Sequence, residues 1–222
     1  MYCSATVRLT LVSLVVPLLL SACAQPPTPY DYSAFRRAQP KSILILPPTN
    51  RSPDVRASDS ILATASYPVV EDGYYVFPAA LVAQMFKENG LTSPAEIQQL
   101  PLAKLHEIFG ADAALYIDIR AYGASYQILA SDLRVTLDAK LVDLRSGDLL
   151  WQGSATASNL EGRGGNQGGL VGMLVSALIE QVANNLIDNG YKVGAMANAR
   201  LLTADPTFGL LYGPRSPKYA SP

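Results

Sequence analysis

The spacing of apolar and polar residues changes several times along the chain, and each spacing predicts a particular element. Ile43 to Leu46 form a continuous apolar run that Pro47 and Pro48 end, which is typical of a strand buried on both faces. Thr49 to Asp59 are mostly polar and predict a loop, and the weaker apolar run from Ile61 to Val70 predicts a second strand. The domain is therefore predicted to begin with β structure.

A first helix is predicted to follow this region. It begins at Pro78, because proline can occupy a helix start without losing a hydrogen bond, and it ends at Asn89-Gly90. The residues predicted to line one apolar face of this helix are Leu81, Val82, Met85 and Phe86.

A second helix is predicted from Ser93, which has Glu96 at the spacing of a capping box. Pro101 interrupts the pattern, so Leu102 to Phe109 form either a kinked continuation or a separate turn. Gly110 is predicted to end it.

The clearest β region is an alternation of apolar and polar residues. Leu115 to Tyr122 and Leu133 to Leu141 each have one apolar face and one polar face. Arg145 to Asp148 predict a tight turn into a third strand, Leu149 to Ala157, with Trp151 on its apolar side. These three strands predict an antiparallel meander.

A final helix is predicted to cover the apolar face of the meander and to end at Asn189-Gly190. Its apolar stripe consists of Leu170, Met173, Leu174, Ala177, Leu178, Gln181, Val182 and Leu186. The predicted fold class is α+β: a mixed sheet with an antiparallel meander and helices packed on one face.

The N-terminus has the pattern of a bacterial lipoprotein signal peptide. Arg8 precedes a short apolar run from Leu9 to Leu20, and Leu20-Ser21-Ala22-Cys23 resembles a lipobox. Residues 1–22 are therefore predicted to be cleaved, leaving Cys23 with a diacylglycerol and an N-acyl chain, and no other cofactor is expected. Ala24 replaces the aspartate that retains such proteins at the inner membrane, so we expect the periplasmic face of the outer membrane.

Composition sets the expected boundaries and partners. Residues 23–40 contain four prolines and predict an extended tether, residues 41–190 the globular domain, and residues 191–222 an extended tail. Lys and Arg total 17 and Asp and Glu 18, so loss of Arg8 with the signal leaves 16 against 18, or −2. This balance provides no basic surface for nucleic acid.

The residues offer little basis for catalysis. His106 is the only histidine, which argues against both a metal site and a Ser-His-Asp triad. Gly162 to Gly169 lack the Lys and Ser/Thr of a phosphate-binding loop and are expected to form a flexible connection. The carboxylates that could serve as an acid and a base are Asp118, Asp132, Asp138 and Asp143. Those on the polar faces of the strands are expected to be solvated or paired with neighbouring cations. The chain is therefore not expected to be an enzyme.

Aromatic residues are the candidates for partner binding. Tyrosine suits protein interfaces because it combines a large apolar ring with a polar hydroxyl. Tyr74, Tyr75 and Phe77 cluster before the first predicted helix, where the alternative is ordinary packing under the helix start. Tyr116 and Tyr122 are predicted on the outer face of their strand, either solvated or joined to another subunit.

Several segments together resemble one family: Ile43 to Pro48, Tyr67-Pro68 with Gly73 to Pro78, and Leu141 to Trp151. The chain is similar to the neisserial-type lipoprotein family of unknown function. That resemblance implies a fold similar to the TolB amino-terminal domain and to the lipoprotein PelC, and the Asp143 to Trp151 hairpin also resembles one in CsgG-type lipoproteins. It implies a non-enzymatic envelope component and supplies no catalytic residues.

Two functional hypotheses follow from these observations. The first is an outer-membrane-anchored periplasmic lipoprotein that acts as an assembly subunit in envelope biogenesis or export, as a homo-oligomer or with envelope or secretion proteins. The alternative is a lipoprotein that binds lipid or glycan between its helices and sheet.

Overall fold

A computed structural model describes residues 30–127, 130–159, 161 and 189–219. Residues from Asp31 onwards belong to one compact unit, and residues 1–30 to another of which only Tyr30 is described. The elements in chain order are α1 (Ser33–Ala38), β1 (Ser42–Ile45), β2 (Thr49–Asn50), α2 (Ala57–Glu71), β3 (Tyr75–Val76), α3 (Ala79–Glu88), α4 (Pro94–Ile97), α5 (Leu102–Phe109), β4 (Ala113–Gln127), β5 (Ala130–Asp143), β6 (Leu149–Ser158) and α6 (Asn189–Leu202).

The strands form a six-stranded mixed sheet in the order β3-β1-β4-β5-β6, with β2 also paired to β4. The strands β3, β1 and β4 are parallel, whereas β4, β5 and β6 are antiparallel. Leu115 pairs with Ile45 on one side and Leu141 on the other, so the buried β1 strand lies beside the meander. The predicted α+β class, mixed sheet and meander are confirmed.

Helices pack on both faces of the sheet rather than on one. α2 and α6 cover the face that carries Leu115, Ile117, Leu137 and Trp151, with α6 against β5 and β6. The opposite face forms a second apolar cluster with α3, α4 and α5, whose buried members are Leu44, Leu46, Val82, Phe86, Ile97, Leu105, Ala111, Ala114, Tyr116, Val142 and Leu144. The predicted single helical layer is therefore corrected to two, and the second covers only one part of its face.

Ile61 to Val70 lie in helix α2, so the predicted second strand is wrong. Ala57, Ile61, Ala65 and Val69 recur every four residues and are all fully buried, which is a helical period. The run was ambiguous because a short apolar segment fits a buried strand and a helix equally well. Contact with α6 decides between them: the side-chain amide of Asn198 donates to the carbonyl of Ile61 at 2.9 Å.

Residues 31–40 are part of the domain, so the predicted tether is wrong in its second half. Ser33–Ala38 form α1, and the side chains of Tyr32 and Phe35 are 5% and 4% exposed. The Tyr32 hydroxyl donates to the carbonyl of Gly209 at 2.6 Å. The prolines at 26, 27 and 29 precede α1, and the aromatic residues after them supply apolar surface that docks it.

The C-terminal region is also folded, which corrects both the predicted helix end at Asn189-Gly190 and the predicted tail from 191. Helix α6 runs through both residues to Leu202, and Leu210 is fully buried further on. Residues 203–219, here called the C-terminal segment, accept hydrogen bonds from three buried aromatic side chains: Tyr32 to Gly209, Trp151 to Phe208 and Tyr74 to Leu211. These contacts close the domain.

The remaining helix predictions are confirmed in part. α5 ends at Gly110 in the left-handed conformation, and it is separate from α4. Ser93 makes no side-chain cap hydrogen bond at the start of α4, so the predicted capping box is wrong. Leu81 and Met85 are exposed, since α3 buries only Val82 and Phe86. The stripe from Leu170 to Leu186 lies outside the described residues.

Candidate functional site

The uncovered part of the sheet face forms a polar cavity of about 640 Å³, here called the sheet groove. It lies beyond the second helical layer, and its walls come from β2, β4, β5 and β6 together with Gln98. The residues that line it are Thr49, Arg51, Gln98, Tyr116, Ile117, Asp118, Arg120, Asp138, Ala139, Lys140, Gln152, Gly153 and Ser154.

Both carboxylates of the sheet groove are paired with arginines. Asp118 contacts the Arg51 guanidinium at 2.7 Å and accepts a hydrogen bond from the Thr49 hydroxyl at 2.8 Å. Asp138 is paired with Arg120 across β4 and β5. The expected pairing of polar-face aspartates with cations is confirmed for Asp138, and Asp118 is paired with an arginine that the alternation did not identify.

Lys140 is the cation of the sheet groove without an ion pair among the described residues. Its ammonium lies 4.9 Å from the centre of the Tyr116 ring, close enough for a cation–π interaction. Tyr116 is only 7% exposed, and this burial raises the pKa of its hydroxyl. The predicted exposure of Tyr116 is wrong, because α3 to α5 cover that part of the sheet face.

Tyr122 is also buried, at 4% exposure, contrary to prediction. A register shift between Ile119 and Ala121 inserts one extra residue into β4. Because side chains alternate along a strand, this bulge moves Tyr122 to the same face as Ile119. Its hydroxyl donates to Ser60 on α2 at 2.9 Å, and Gly190 of α6 packs against its ring.

The aromatic residues before α3 are a buried tyrosine, an exposed tyrosine and a partly buried phenylalanine. Tyr74 is 2% exposed, donates to the Leu211 carbonyl at 2.6 Å, and has its pKa raised by burial. The rings of Tyr75 and Phe77 meet edge-to-face at 5.1 Å, and Phe77 packs on Phe109. Only Tyr75, at 42% exposed, is available at the surface. The five predicted aromatic residues therefore do not form one interface.

The other sequence candidates have structural roles where they are described. His106 contacts the carbonyl of Ala111 through Nδ1 at 2.8 Å, next to the end of α5. Asp143 accepts hydrogen bonds from the backbone N–H groups of Arg145 and Ser146, both at 2.8 Å, and so orders the hairpin turn. Within the described ranges, no three His, Cys, Asp or Glu residues are grouped to hold a metal ion. Cys23, the side chain of Asp132 and residues 162–169 lie outside the described part.

Asp72 is a buried carboxyl that sequence reasoning treated only as part of a turn. It is 4% exposed, and its Oδ2 has no hydrogen-bond partner. Burial raises its pKa to about 7, opposed by the N–H of Ala204; Glu71 raises the pKa further and Lys218 lowers it. The backbone carbonyl of the same residue accepts from the N–H of Gly213 at 2.7 Å. Asp72 therefore lies where the C-terminal segment crosses α2 and β3.

Asp72→Asn is expected to remove a pH dependence of stability. The folded pKa is raised from 3.8 to about 7, so the contribution of Asp72 is least unfavourable below pH 4 and becomes destabilising as pH rises to about 7. The destabilisation that the ionised Asp72 carboxyl causes at high pH is at most about 4 kcal/mol. The variant should melt several degrees higher than the parent at pH 8, and by a much smaller margin at pH 4.5, as followed by circular dichroism. Equal melting shifts at both pH values would contradict this.

Comparison with known proteins identifies the family. The chain is 48% identical over 206 residues to "Putative lipoprotein NMB1124/NMB1162" of Neisseria meningitidis serogroup B, covering 92% of this chain and 95% of that protein. The crystal structure of lipoprotein GNA1162 from Neisseria meningitidis is 50% identical and superimposes with a TM-score of 0.53, covering 66% of this chain and all of that one.

A PelC dodecamer from Paraburkholderia phytofirmans is a weaker likeness, with 11% identity and a TM-score of 0.44 over 77% of this chain and 91% of that one. Among the described residues, no helix combines the length and the apolar character that crossing a membrane requires. The family model described as "Putative lipoprotein GNA1162-like" matches residues 30–215, which span α1 to the C-terminal segment. The chain belongs to this GNA1162-like lipoprotein family.

Proposed function

We propose that the protein is a lipid-anchored, non-enzymatic assembly subunit of the cell envelope, with the sheet groove as its contact with an envelope or secretion protein. The observation that carries this proposal is the groove itself, an open polar surface with Arg51–Asp118 and Arg120–Asp138 ion pairs and a cation, Lys140, that has no ion pair within the described part of the chain. Such a surface gives an interface specificity through charge complementarity.

The anchor in this proposal is Cys23. Membership of a lipoprotein family supports lipidation, and Cys23 follows the small residues that a lipobox requires. Ala24 at the next position favours the outer membrane, with the domain on its periplasmic side. Two or more acyl chains hold a protein stably on a bilayer without a spanning helix.

The proposal is tested with the full-length lipoprotein in its own membranes. A photo-crosslinking amino acid at Gln152, in the sheet groove, should capture a defined protein, whereas the same group at the exposed Lys104 on α5 should not. The mass of the N-terminal peptide reports lipidation of Cys23 separately. A strictly monomeric protein with no crosslinked partner at Gln152 would overturn the assembly role.

Charge reversal separates partner recognition from stability. Lys140→Glu should reduce the Gln152 crosslink at least about fivefold, a loss of about 1 kcal/mol, without lowering the melting temperature. The pair of changes Arg120→Asp and Asp138→Arg restores the ion pair inside the protein but inverts the charges that a partner meets. That double variant should therefore fold normally and still lose the crosslink. Normal crosslinking by both variants would exclude the groove as the interface.

A further inference from the structure

A second cavity, of about 570 Å³, lies between α1, β3 and the C-terminal segment and is here called the α1 cavity. Its walls are mainly apolar and aromatic, and include Phe35, Pro40, Tyr74, Leu211 and Tyr219. Phe35, Pro40 and Tyr74 are buried and fixed by the docking of α1 and by the Tyr74–Leu211 hydrogen bond. The site is therefore preformed and can accept an apolar group without exposing new surface.

Two cations line the same cavity. Arg36 and Lys218 are exposed, and within the described residues neither has a carboxylate at ion-pair distance. The Lys218 ammonium lies 5.3 Å from the centre of the Tyr212 ring and 3.4 Å from its hydroxyl oxygen. Acids act on these cations only from beyond ion-pair distance: Lys218 lowers the pKa of Asp72, and Arg36 that of Asp31. Arginine and lysine together form a site for an anionic group such as a phosphate diester.

The position of α1 in the sequence limits how far this cavity can be from the anchor. Because residues 31–40 are docked, only residues 24–30 lie between Cys23 and the folded region. Eight residue steps, from Cys23 to Asp31, span at most about 29 Å when fully extended. If Cys23 is lipidated, as the proposed function requires, the α1 end of the domain stays within reach of the lipid head groups.

We propose that the α1 cavity binds an anionic phospholipid of the anchoring membrane, with its acyl chain against the apolar walls and its phosphate between Arg36 and Lys218. The apolar walls match an acyl chain and the two cations match a phosphate, so a single phospholipid fits both. A simple anion would match only the cations, and an uncharged hydrocarbon would match only the walls. Binding would orient the domain on the bilayer and leave the sheet groove for a protein partner. The assignment of the lipid to the anchoring membrane rests on the proposed function. The match between the cavity and an anionic phospholipid does not.

The test uses the full-length protein in uncharged maltoside micelles. Phosphatidylglycerol carrying a diazirine in its acyl chain is compared with the matching phosphatidylcholine, and labelled peptides are identified by mass spectrometry. We expect phosphatidylglycerol adducts on the peptides that contain Phe35, Tyr212 and Tyr219, at least about fivefold above phosphatidylcholine. Equal labelling by the two lipids, or adducts spread over the whole surface, would overturn the proposal.

Charge variants define the head-group contact. Arg36→Glu combined with Lys218→Glu should reduce phosphatidylglycerol labelling at least about fivefold, a change of about 1 kcal/mol. The matched control is Lys87→Glu on α3, also an exposed lysine, which should leave labelling unchanged. Circular dichroism confirms that each variant is folded. Undiminished labelling of the double variant would show that the cations do not bind the lipid.

Two further arms distinguish this proposal from others. Competition by millimolar inorganic phosphate, with no adducts on the aromatic walls, would indicate a site for a free anion and would overturn the lipid assignment. Because micelles supply the lipid independently of the anchor, binding can be scored even if Cys23 carries no lipid. Cavity labelling with an unmodified Cys23 would refute the anchoring part of the proposed function, whereas a lipidated Cys23 without labelling would refute only the present proposal.

Discussion

Trp151→Ala is expected to destabilise the protein more than any other single substitution described here, by about 4 kcal/mol. Trp151 is 1% exposed on β6, and its ring fills the space next to Gly153, where an added Cβ would lie 2.5 Å from Cζ2. Its indole N–H also donates to the carbonyl of Phe208 at 2.9 Å. Truncation therefore leaves a cavity under α6 and an unpaired carbonyl in the C-terminal segment.

The matched variant is Trp151→Phe, which retains much of the apolar volume but loses the hydrogen-bond donor. It should cost about 2 kcal/mol, between the parent and the alanine variant. Urea unfolding followed by far-ultraviolet circular dichroism measures both, since the substitution removes the chain's single tryptophan fluorophore. A cost below about 1 kcal/mol for Trp151→Ala would mean that β6 does not pack as described.

Gly73→Ala is expected to produce the second large effect, about 3 kcal/mol of destabilisation. Gly73 has φ of +94°, and an added Cβ would lie 2.2 Å from the backbone nitrogen of Ser216. The neighbouring atoms include the backbone of Arg215 and Ser216, so a side-chain adjustment cannot relieve the clash. The C-terminal segment must then move away, with loss of the Arg215 N–H to Gly73 carbonyl hydrogen bond of 3.1 Å.

Gly90→Ala provides the control for backbone strain. Gly90 also has a positive φ, +78°, but no atom lies within 4 Å of its added Cβ. It should therefore cost only the strain of a left-handed alanine, about 1 kcal/mol. Limited proteolysis should cut the C-terminal segment faster in Gly73→Ala than in Gly90→Ala. Equal stability and equal proteolysis of the two variants would refute the close crossing at Gly73.

The sheet was predictable where its signals are local. The alternation in β4 and β5, the turn at Gly147 and the apolar run of β1 each lie within a few neighbouring residues, and pairing in the meander follows from them. The position of Tyr122 was not predictable in this way, because nothing in the alternation marks the extra residue near Arg120. One inserted residue reverses the facing of everything after it.

The ends of the domain were not predictable because their contacts are distant in sequence. Tyr32 bonds to Gly209 across 177 positions, and neither segment has a periodicity that indicates the other. The sequence predicted the sheet groove only as the polar face of a strand. The Asp138–Arg120 pair could be expected, because the two residues are neighbours on adjacent strands. The Arg51–Asp118 pair could not, because Arg51 comes from a loop 67 positions before Asp118. Asp72 gave no signal at all, since an aspartate before glycine is ordinary turn composition.

The hydrogen bond between Tyr32 and Gly209 also sets a minimum time for folding in the cell. A ribosome that adds roughly 5–20 residues per second needs about 10 to 35 s to synthesise the 177 residues between the two partners. Throughout that interval Tyr32 lacks the carbonyl to which it finally donates, and Tyr74 and Trp151 lack theirs from the time they are synthesised until residues 211 and 208 are added. The growing polypeptide thus cannot complete its native structure until almost the whole domain has been synthesised.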